Sequence, residues 1–257
     1  MIAARALVFG LVGLAFGSFL TVVVHRVPKG ESLVSPRSRC PSCGAQLRNV
    51  DNIPVVSWLQ LRGRCRSCGA RISPVYPLTE LATGALFVAA AVGFDGVWVA
   101  AIMAPFLGLM VAVSAIDLRH RIIPNRIVYP SFPIFAVSIL AADLAGVGLD
   151  APRAALGMLA FGGALLVVAL VSPRGMGMGD VKLAGLIGLV LGSLGLRFVA
   201  VGAGVGIVLG GVGAIVALIA GVSRKQALPF GPFLAAGAAV ATLFGEQLAS
   251  AYLRIVG

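Results

Sequence analysis

The sequence is poor in charged residues, which make up 11% of its 257 residues, whereas hydrophobic residues make up 59%. Soluble globular domains carry about 25% charged residues, so a soluble fold of this composition would have too little polar surface to face water. The mean hydropathy of +1.04 agrees with this exclusion. The sequence therefore predicts an all-α polytopic membrane protein whose main surroundings are the lipid bilayer.

Histidine is scarce, with two residues in the chain, and several catalytic patterns are missing. There is no Ser/His/Asp order, no H-E-x-x-H zinc motif and no Walker A phosphate loop. His25 and His120 each lie beside an arginine at a predicted membrane edge, which is typical of interface anchors. Because no Lys or Arg cluster outside the membrane loops is interleaved with aromatic residues, the net charge of +11 does not predict a nucleic-acid partner.

The N-terminus lacks the features of a cleaved secretion signal. Its apolar run from Ala6 to Val24 is longer than the roughly 7–15 residues of a signal-peptide core. No A-x-A cleavage site follows this run, because the next residues are HRVPKG. We therefore predict a retained first transmembrane helix.

Long apolar runs are abundant, and a bilayer core of about 30 Å needs about 20 such residues per helix. About eight runs meet this need, so we expect about eight transmembrane helices. The predicted spans are 5–24, 78–93, 97–116, 127–146, 154–171, 181–195, 198–222 and 230–252. Small residues recur in several of them, as in GAGVGIVLGGVGA (202–214), and allow helix backbones to pack closely in lipid.

Positive charge is distributed unequally between the two ends of these helices. If segment 25–77 is placed in the cytosol, sixteen of the 20 Lys and Arg residues fall on the cytosolic side. The four on the other side are Arg5, Arg153, Arg197 and Arg254. Since cytosolic loops carry the excess of positive charge, we predict a multi-pass protein with both termini outside and the 25–77 loop in the cytosol.

The chain has four cysteines, and all of them lie in the polar segment 25–77. They form two knuckles, CPSCGA with Cys40 and Cys43, and CRSCGA with Cys65 and Cys68. Four thiolates at this spacing can hold a structural zinc ion, and a segment this short and polar needs a cross-link to fold. Two disulfides or free thiols are alternatives, although disulfides are rare in the cytosol. The pattern predicts a small cytosolic zinc-ribbon-like domain between the first two transmembrane helices.

Three of the nine acidic residues lie away from the outer loops and the basic segment: Glu80, Asp117 and Asp180. Asp117 ends the third predicted span and Asp180 opens the sixth, in GMGMGD, where a carboxylate is costly and often functional. If the two aspartates meet, one can activate water as a general base while the other protonates a carbonyl oxygen, which hydrolyses a peptide bond. Gly177 and Gly179 lack a Cβ and would let an extended peptide approach Asp180.

Other interpretations of the two aspartates stay open on these grounds. Asp117 is close in sequence to Arg119 and Arg121, which fits an interfacial ion pair, and Asp180 fits a helix N-cap. A proton- or ion-coupled membrane transporter would use the same intramembrane aspartates. A membrane anchor whose cysteine loop is a binding module is a third alternative.

Seven motifs occur in the order seen in bacterial type IV prepilin peptidases, and they extend over nearly the whole chain. They are GSFLTVVVHRVP (17–28), the paired CPSCG and CRSCG, DNIPVVSWLQLRGRC (51–65), ISPVYPLTELATG (72–84), AIDLRHRIIPN (115–125), GMGMGDVKL (175–183) and LPFGPFLAAGA (228–238). The chain therefore resembles this family of GxGD-type membrane aspartic peptidases.

The resemblance implies an enzyme of the bacterial cytoplasmic (inner) membrane that serves type IV pili or type II secretion. It would remove the basic leader of prepilins and pseudopilins at the cytosolic face. Many members then methylate the new N-terminal residue with S-adenosylmethionine. This second activity rests on the resemblance alone, because the sequence has no glycine-rich Rossmann fingerprint.

The motifs also imply specific roles and boundaries. The catalytic aspartates fall on Asp117 and Asp180, and the zinc ligands fall on the four cysteines. Many relatives carry an acid where this chain has Asn125, which leaves Asp117 as the carboxylate available in that motif. The implied organisation is a first transmembrane helix (1–24), a cytosolic four-cysteine zinc-binding domain (25–77) and a membrane aspartic peptidase domain (78–257).

Overall fold

The computed structural model describes residues 1–172, 176–221 and 229–256. In these ranges the chain is helical and contains two isolated β-bridges but no sheet. Arg174, Gly175, Arg224, Lys225 and Leu228, which enter the charge distribution or the motifs above, lie outside the described residues. The helices are α1 (Ile2–Arg26), α2 (Val56–Gln60), α3 (Val75–Gly93), α4 (Val97–His120), α5 (Asn125–Leu144), α6 (Ala151–Val171), α7 (Met178–Leu194), α8 (Leu196–Ile219) and α9 (Gly231–Val256).

Seven of these helices are long and apolar enough to cross a membrane: α1, α3, α4, α5, α6, α8 and α9. The eighth long helix, α7, has 17 residues and so spans about 25 Å, slightly less than a hydrocarbon core. It lies in the interior of the bundle, since every residue from 183 to 193 is buried. The predicted all-α, multi-pass architecture is confirmed, with seven candidate spans and one shorter, buried helix.

The helix ends differ from the predicted spans by a few residues, and the largest difference matters for the site. The third predicted span stops at residue 116, whereas α4 continues to His120. It ends where Arg121 adopts a left-handed conformation with φ of 55° and donates its N–H to the carbonyl of Asp117 at 2.8 Å. Asp117 therefore lies within the last turn of α4 instead of beyond its end.

Three helix pairs pack most extensively: α1 with α3, α6 with α7, and α8 with α9. A Cβ added to Gly17 would lie 2.8 Å from the Cα of Glu80, so α1 and α3 touch through their backbones. Gly157 of α6 and Gly188 of α7 are likewise too close for a Cβ on either. Close approach at small residues is how membrane helices associate. Helix α4 is central, because it contacts α1, α3, α5 and α9.

The two ends of the bundle carry different polar groups. At one end Arg5 donates to the carbonyl oxygens of Asp95 and Phe94 at 2.8 and 3.0 Å, and Arg197 pairs with Glu246 at 2.6 Å. The other end carries the segment between α1 and α3, the end of α4 and the starts of α7 and α9. The cysteines and both candidate aspartates therefore share one end.

Candidate active site and metal centre

Asp117 is almost completely buried, with 4% of its surface exposed, in the last turn of α4. Its Oδ2 accepts a hydrogen bond from the backbone N–H of Gly231 at 3.0 Å. Gly231 is the first residue of α9, and the first N–H groups of a helix have no partner inside that helix. The positive end of α9 therefore faces the carboxylate and offsets the unfavourable position of Asp117 at the negative end of α4.

Asp180 lies in the first turn of α7 and is partly buried. The N-cap of α7 is Gly177, to whose carbonyl the Asp180 N–H donates at 3.1 Å, so the N-cap interpretation of Asp180 is wrong. Its carboxylate is close enough to Asp117 for the two charges to act on each other. The fold thus brings together two aspartates that are 63 positions apart in the sequence, and Asp180 also lies at a positive helix end.

Ile123, in the turn between α4 and α5, packs between the segments that carry the two aspartates. A Cβ on Gly179 would lie 3.1 Å from the Cβ of Ile123, and a Cβ on Gly231 would lie 3.3 Å from its Cδ1. The sequence analysis assigned no role to Ile123 or Gly231. The Gly-Pro pair at 231–232 is typical of a helix start, but nothing local indicated that this start lies against Asp117, 114 positions away.

The two glycines predicted to admit a substrate differ in their surroundings. Gly177 is exposed, and a Cβ there would lie 3.3 Å from Oδ2 of Asp180. Gly179 is partly buried, and the space that its Cβ would fill adjoins Ile123. The accessible backbone next to Asp180 is therefore at Gly177, while Gly179 lets α7 approach the turn that follows α4.

Neighbouring cationic side chains have other partners. Among the described residues neither Asp117 nor Asp180 forms an ion pair. Arg119 reaches Ser73, with 3.4 Å between Nη2 and Oγ. Lys182 donates to Oδ1 of Asn125 at 3.1 Å. The interfacial ion pair considered for Asp117 is thus not observed in the described ranges.

The four cysteines converge in the segment between α1 and α3, where their Sγ atoms all lie within 4.8 Å of one another. Cys40 Sγ and Cys68 Sγ are 3.8 Å apart. Two thiolates on a tetrahedral zinc ion with bonds of about 2.3 Å are separated by roughly 3.8 Å, whereas a disulfide bond is about 2.05 Å long. The donor set therefore fits a metal ion and is consistent with the predicted zinc.

The two knuckles have nearly the same backbone structure. The N–H of Cys40 donates to Ala45 at 2.9 Å, and that of Cys65 donates to Ala70 at 2.8 Å. Each turn closes on a glycine with positive φ, 72° at residue 44 and 70° at residue 69. Backbone hydrogen bonds from Cys43 and Ser42 lower the pKa of the Cys40 thiol to about 6. At Cys68 a backbone hydrogen bond at Ala70 lowers the pKa, but the neighbouring thiols and burial outweigh it and raise the pKa to about 12.

A cavity of about 950 Å³ separates the cysteine segment from the C-terminal half of α1 and the N-terminal end of α3. Its walls include Phe19, Trp58, Tyr76 and Glu80, together with Arg119 at the end of α4. Neither Asp117 nor Asp180 lines this cavity. It is therefore a feature separate from the pair of aspartates.

Comparison with known proteins shows which family the sequence matches. The model of the Type IV leader peptidase family matches residues 104–242, and that of the Bacterial Peptidase A24 N-terminal domain matches residues 11–94. A prepilin leader peptidase/N-methyltransferase of Bacillus subtilis is 36% identical over 245 residues, which cover 95% of this chain and 96% of the relative. Relatives of the same name from Stutzerimonas stutzeri and Pseudomonas aeruginosa are each 34% identical, covering 95% and 96% of this chain and 92% and 93% of their own lengths. No solved structure matches the chain.

Proposed function

Because the chain belongs to the type IV leader peptidase family, we propose that it cleaves the basic leader from prepilins and pseudopilins and then N-methylates the new N-terminus. The peptidase proposal is supported above all by the proximity of Asp117 and Asp180 at one end of the bundle. Two carboxylates that act on each other electrostatically, each facing a helix N-terminus, suit acid–base catalysis on a peptide bond.

In the proposed reaction the two aspartates act as one unit that shares a proton. The ionised carboxylate removes a proton from water, which attacks the scissile carbonyl carbon, while the protonated carboxyl donates its proton to the carbonyl oxygen. Collapse of the tetrahedral intermediate breaks the C–N bond, and the leaving amine takes a proton from the dyad. The Gly231 N–H holds Asp117 in place throughout these steps.

The depth of the aspartates suits this substrate class. A prepilin has a cationic leader followed by an apolar helix, so its scissile bond would lie at the membrane edge while the helix stays in lipid. Asp117 lies three residues before the end of a candidate span. We place this edge at the cytosolic face of a bacterial cytoplasmic membrane, with segment 25–77 in the cytosol and both termini outside, on the strength of the charge distribution.

The cysteine segment and the methyl donor complete the proposal. We assign structural zinc to Cys40, Cys43, Cys65 and Cys68, because four thiolates leave no open coordination position for catalysis. The ion would cross-link the 25–77 domain, whereas the 78–257 domain would carry the peptidase. The methyltransferase proposal is supported by the name that the relatives share, and S-adenosylmethionine would supply its methyl group.

Substitution of each aspartate tests the peptidase. With purified enzyme and a purified prepilin, Asp117→Asn and Asp180→Asn should each lower the rate of leader cleavage by about 10²–10⁴-fold, because each removes a proton-transfer group. Asp95→Asn is the matched control, because Asp95 is exposed at the opposite end of the bundle. This variant should cleave prepilin at the wild-type rate. Wild-type rates in both dyad variants would refute the assignment and reopen the transporter hypothesis.

A further inference from the structure

The cysteine segment carries a row of exposed apolar side chains at every third position: Val50, Ile53, Val56 and Leu59, which we call the apolar row. Each of the four is between 44% and 61% exposed. The first belongs to the 3₁₀ turn Asn49–Asn52 and the last two belong to α2, and residues three apart in a helical turn lie on one side of it. Single exposed apolar residues are ordinary, but a regular row of them indicates a partner.

The apolar row lies on the side of this stretch that faces away from the cavity. Ser57 and Trp58 of α2 line the cavity, whereas in the part of the chain that the structure describes no member of the row does. Trp58 is held in this orientation because its Nε1 donates to the carbonyl oxygen of Ile72 at 3.2 Å. One side of α2 is therefore a wall of the cavity, and the other side presents apolar groups that the described residues do not cover.

Two hydrogen bonds fix the level of α2 along α3. Trp58 donates to Ile72, which is three residues before α3 begins at Val75. Val55, the N-cap of α2, donates its N–H at 2.8 Å to Oε2 of Glu80, which is five residues after that start. Because side chains on a helix lean towards its N-terminus, both bonds place α2 at the level of the first turns of α3.

The first turns of α3 lie at the edge of the membrane core. The helix has 19 residues and so spans about 28 Å, nearly the whole of a hydrocarbon core of about 30 Å. Leu78 and Leu81, in these turns, are exposed on the bundle surface and must be covered by lipid if α3 spans the bilayer. The apolar row is thus at the same depth as a lipid-covered surface.

The charges around the apolar row suit anionic headgroups. Arg48 and Arg62 precede and follow the row, and both are exposed. The one acid within 49–62 is Asp51, which pairs with Arg66 at 2.7 Å. Apolar side chains flanked by basic residues are typical of segments that lie in the membrane interface, and arginines at this level are attracted to anionic lipids.

We propose that the apolar row is an interfacial anchor, which inserts into the boundary between headgroups and acyl chains of an anionic bilayer with Arg48 and Arg62 at the level of the phosphates. The inference goes beyond the proposed peptidase and methyltransferase and depends on neither. The anchor makes α2 a wall between the cavity and lipid. It also fixes the cysteine segment to the membrane surface by contacts that do not involve the four thiols.

Labelling from the lipid phase tests the anchor in the full-length protein. The protein is placed in nanodiscs of phosphatidylcholine and phosphatidylglycerol that contain a trace of phosphatidylcholine with a diazirine on its acyl chain. After irradiation, denaturation and tryptic digestion, adducts are counted by mass spectrometry. The whole apolar row falls in one tryptic peptide, 49–62, and the control is peptide 40–48 of the first knuckle, which has no large exposed apolar residue.

We expect peptide 49–62 to carry about 10-fold more lipid adducts than peptide 40–48, because its apolar side chains lie among the acyl chains. Equal yields from the two peptides would mean that the row faces water or a protein partner, and would overturn the inference. This comparison uses the wild type, so it does not depend on the folding of any variant.

Substitutions test which residues make the contact. Ile53→Asp combined with Leu59→Asp should lower the labelling of 49–62 by about 10-fold, because carboxylates are costly at this depth. Val34→Asp, at an exposed position of the same segment outside the row, should leave it unchanged. Wild-type trypsin resistance of the double variant before denaturation shows that the segment is folded, and undiminished labelling of the folded variant would overturn the inference.

The role of the arginines is tested by the headgroup of the probe. With the same trace of diazirine carried on phosphatidylglycerol, labelling of 49–62 should rise by about 5-fold, because basic residues at the surface enrich anionic lipid around them. The preference should shrink as salt is added, since ions screen these charges. Equal labelling by the two headgroups at low salt would overturn the placement of Arg48 and Arg62 at the phosphates.

Discussion

Gly231 contributes two things to the candidate site: a backbone N–H and the absence of a side chain. The N–H donates to Oδ2 of Asp117 at 3.0 Å, and a Cβ would lie 2.7 Å from the same oxygen. The methyl group of an alanine at position 231 would therefore clash with the Asp117 carboxylate, which also accepts the hydrogen bond from the backbone N–H of residue 231. We regard Gly231 as a positioning residue, because it acts through Asp117.

Gly231→Ala should lower the kcat of leader cleavage by about 100-fold, since displacements near 1 Å of a catalytic group have this effect. The KM for prepilin should change little, because the substitution acts through the position of Asp117. Gly211→Ala is the matched control: nothing lies within 4 Å of a Cβ there, and it should retain wild-type kinetics. A Gly231→Ala enzyme with an unchanged kcat would show that the hydrogen bond to Asp117 is dispensable.

The residues of the candidate site differ in how far the sequence reveals them. The cysteines could be selected by spacing, and Asp117 and Asp180 by the cost of a carboxylate at a membrane edge. Gly231, Ile123 and the contact between Glu80 and Val55 could not be predicted. Each depends on a contact between residues that are far apart in the sequence. A glycine before a proline, or an isoleucine in a turn, does not indicate which distant residue it will contact.

At the scale of elements, the cysteine segment between α1 and α3 has little regular structure. Its described helical pieces are α2 and two 3₁₀ turns, Val27–Lys29 and Asn49–Asn52. The shared geometry of the two knuckles must therefore come largely from the metal-binding turns themselves. Without a bound ion, four thiolates at this separation would repel one another.

Removal of the metal should unfold this segment and leave the membrane helices intact. Cys65→Ser, or treatment with a strong chelator, should abolish bound zinc in elemental analysis and speed tryptic cleavage within 27–74, while the helical circular dichroism stays near that of the wild type. Val34→Ser changes an 89% exposed position of the same segment and should keep both zinc and trypsin resistance. Wild-type protein that contains no zinc when purified under reducing conditions would contradict the assignment.

The contact between α6 and α7 sets the position of Asp180, because α7 carries it in its first turn. Gly188 packs against the carbonyl oxygen of Gly157, so Gly188→Ala should force the helices apart and destabilise the protein by about 1–3 kcal/mol. Its apparent melting temperature in detergent should fall, and cleavage should fall with it. Gly163→Ala, on α6 with open space around it, should melt at or slightly above the wild-type temperature. Equal melting temperatures of the Gly188 variant and wild type would show that this contact is not tight.

For the whole molecule, apolar runs were sufficient to predict eight long helices, and the structure contains all eight in the described ranges. What the runs could not predict is their arrangement. The burial of α7 depends on glycines that face other glycines, such as Gly157 and Gly188, and α4 is central because it contacts four other helices. A hydropathy profile contains no information on either kind of pairing. Helix ends were also uncertain, because polar residues such as Arg119 and His120 continue α4 at the membrane edge.

The orientation of the whole molecule decides whether Asp117 and Asp180 can meet a leader in the cytosol. Alkaline phosphatase needs disulfides and is active only outside the cytosol, so fusions in a Gram-negative host report the side of each turn. We expect activity after Gly146 and inactivity after Arg121, with the opposite pattern for green fluorescent protein, because sixteen of 20 basic residues favour this arrangement. A fusion after Gly195 tests α7 separately. Activity there means that this 17-residue helix crosses the bilayer, whereas inactivity means that it does not and would place the C-terminus in the cytosol. Activity after Arg121 would put both aspartates outside and contradict the proposed access to prepilin leaders.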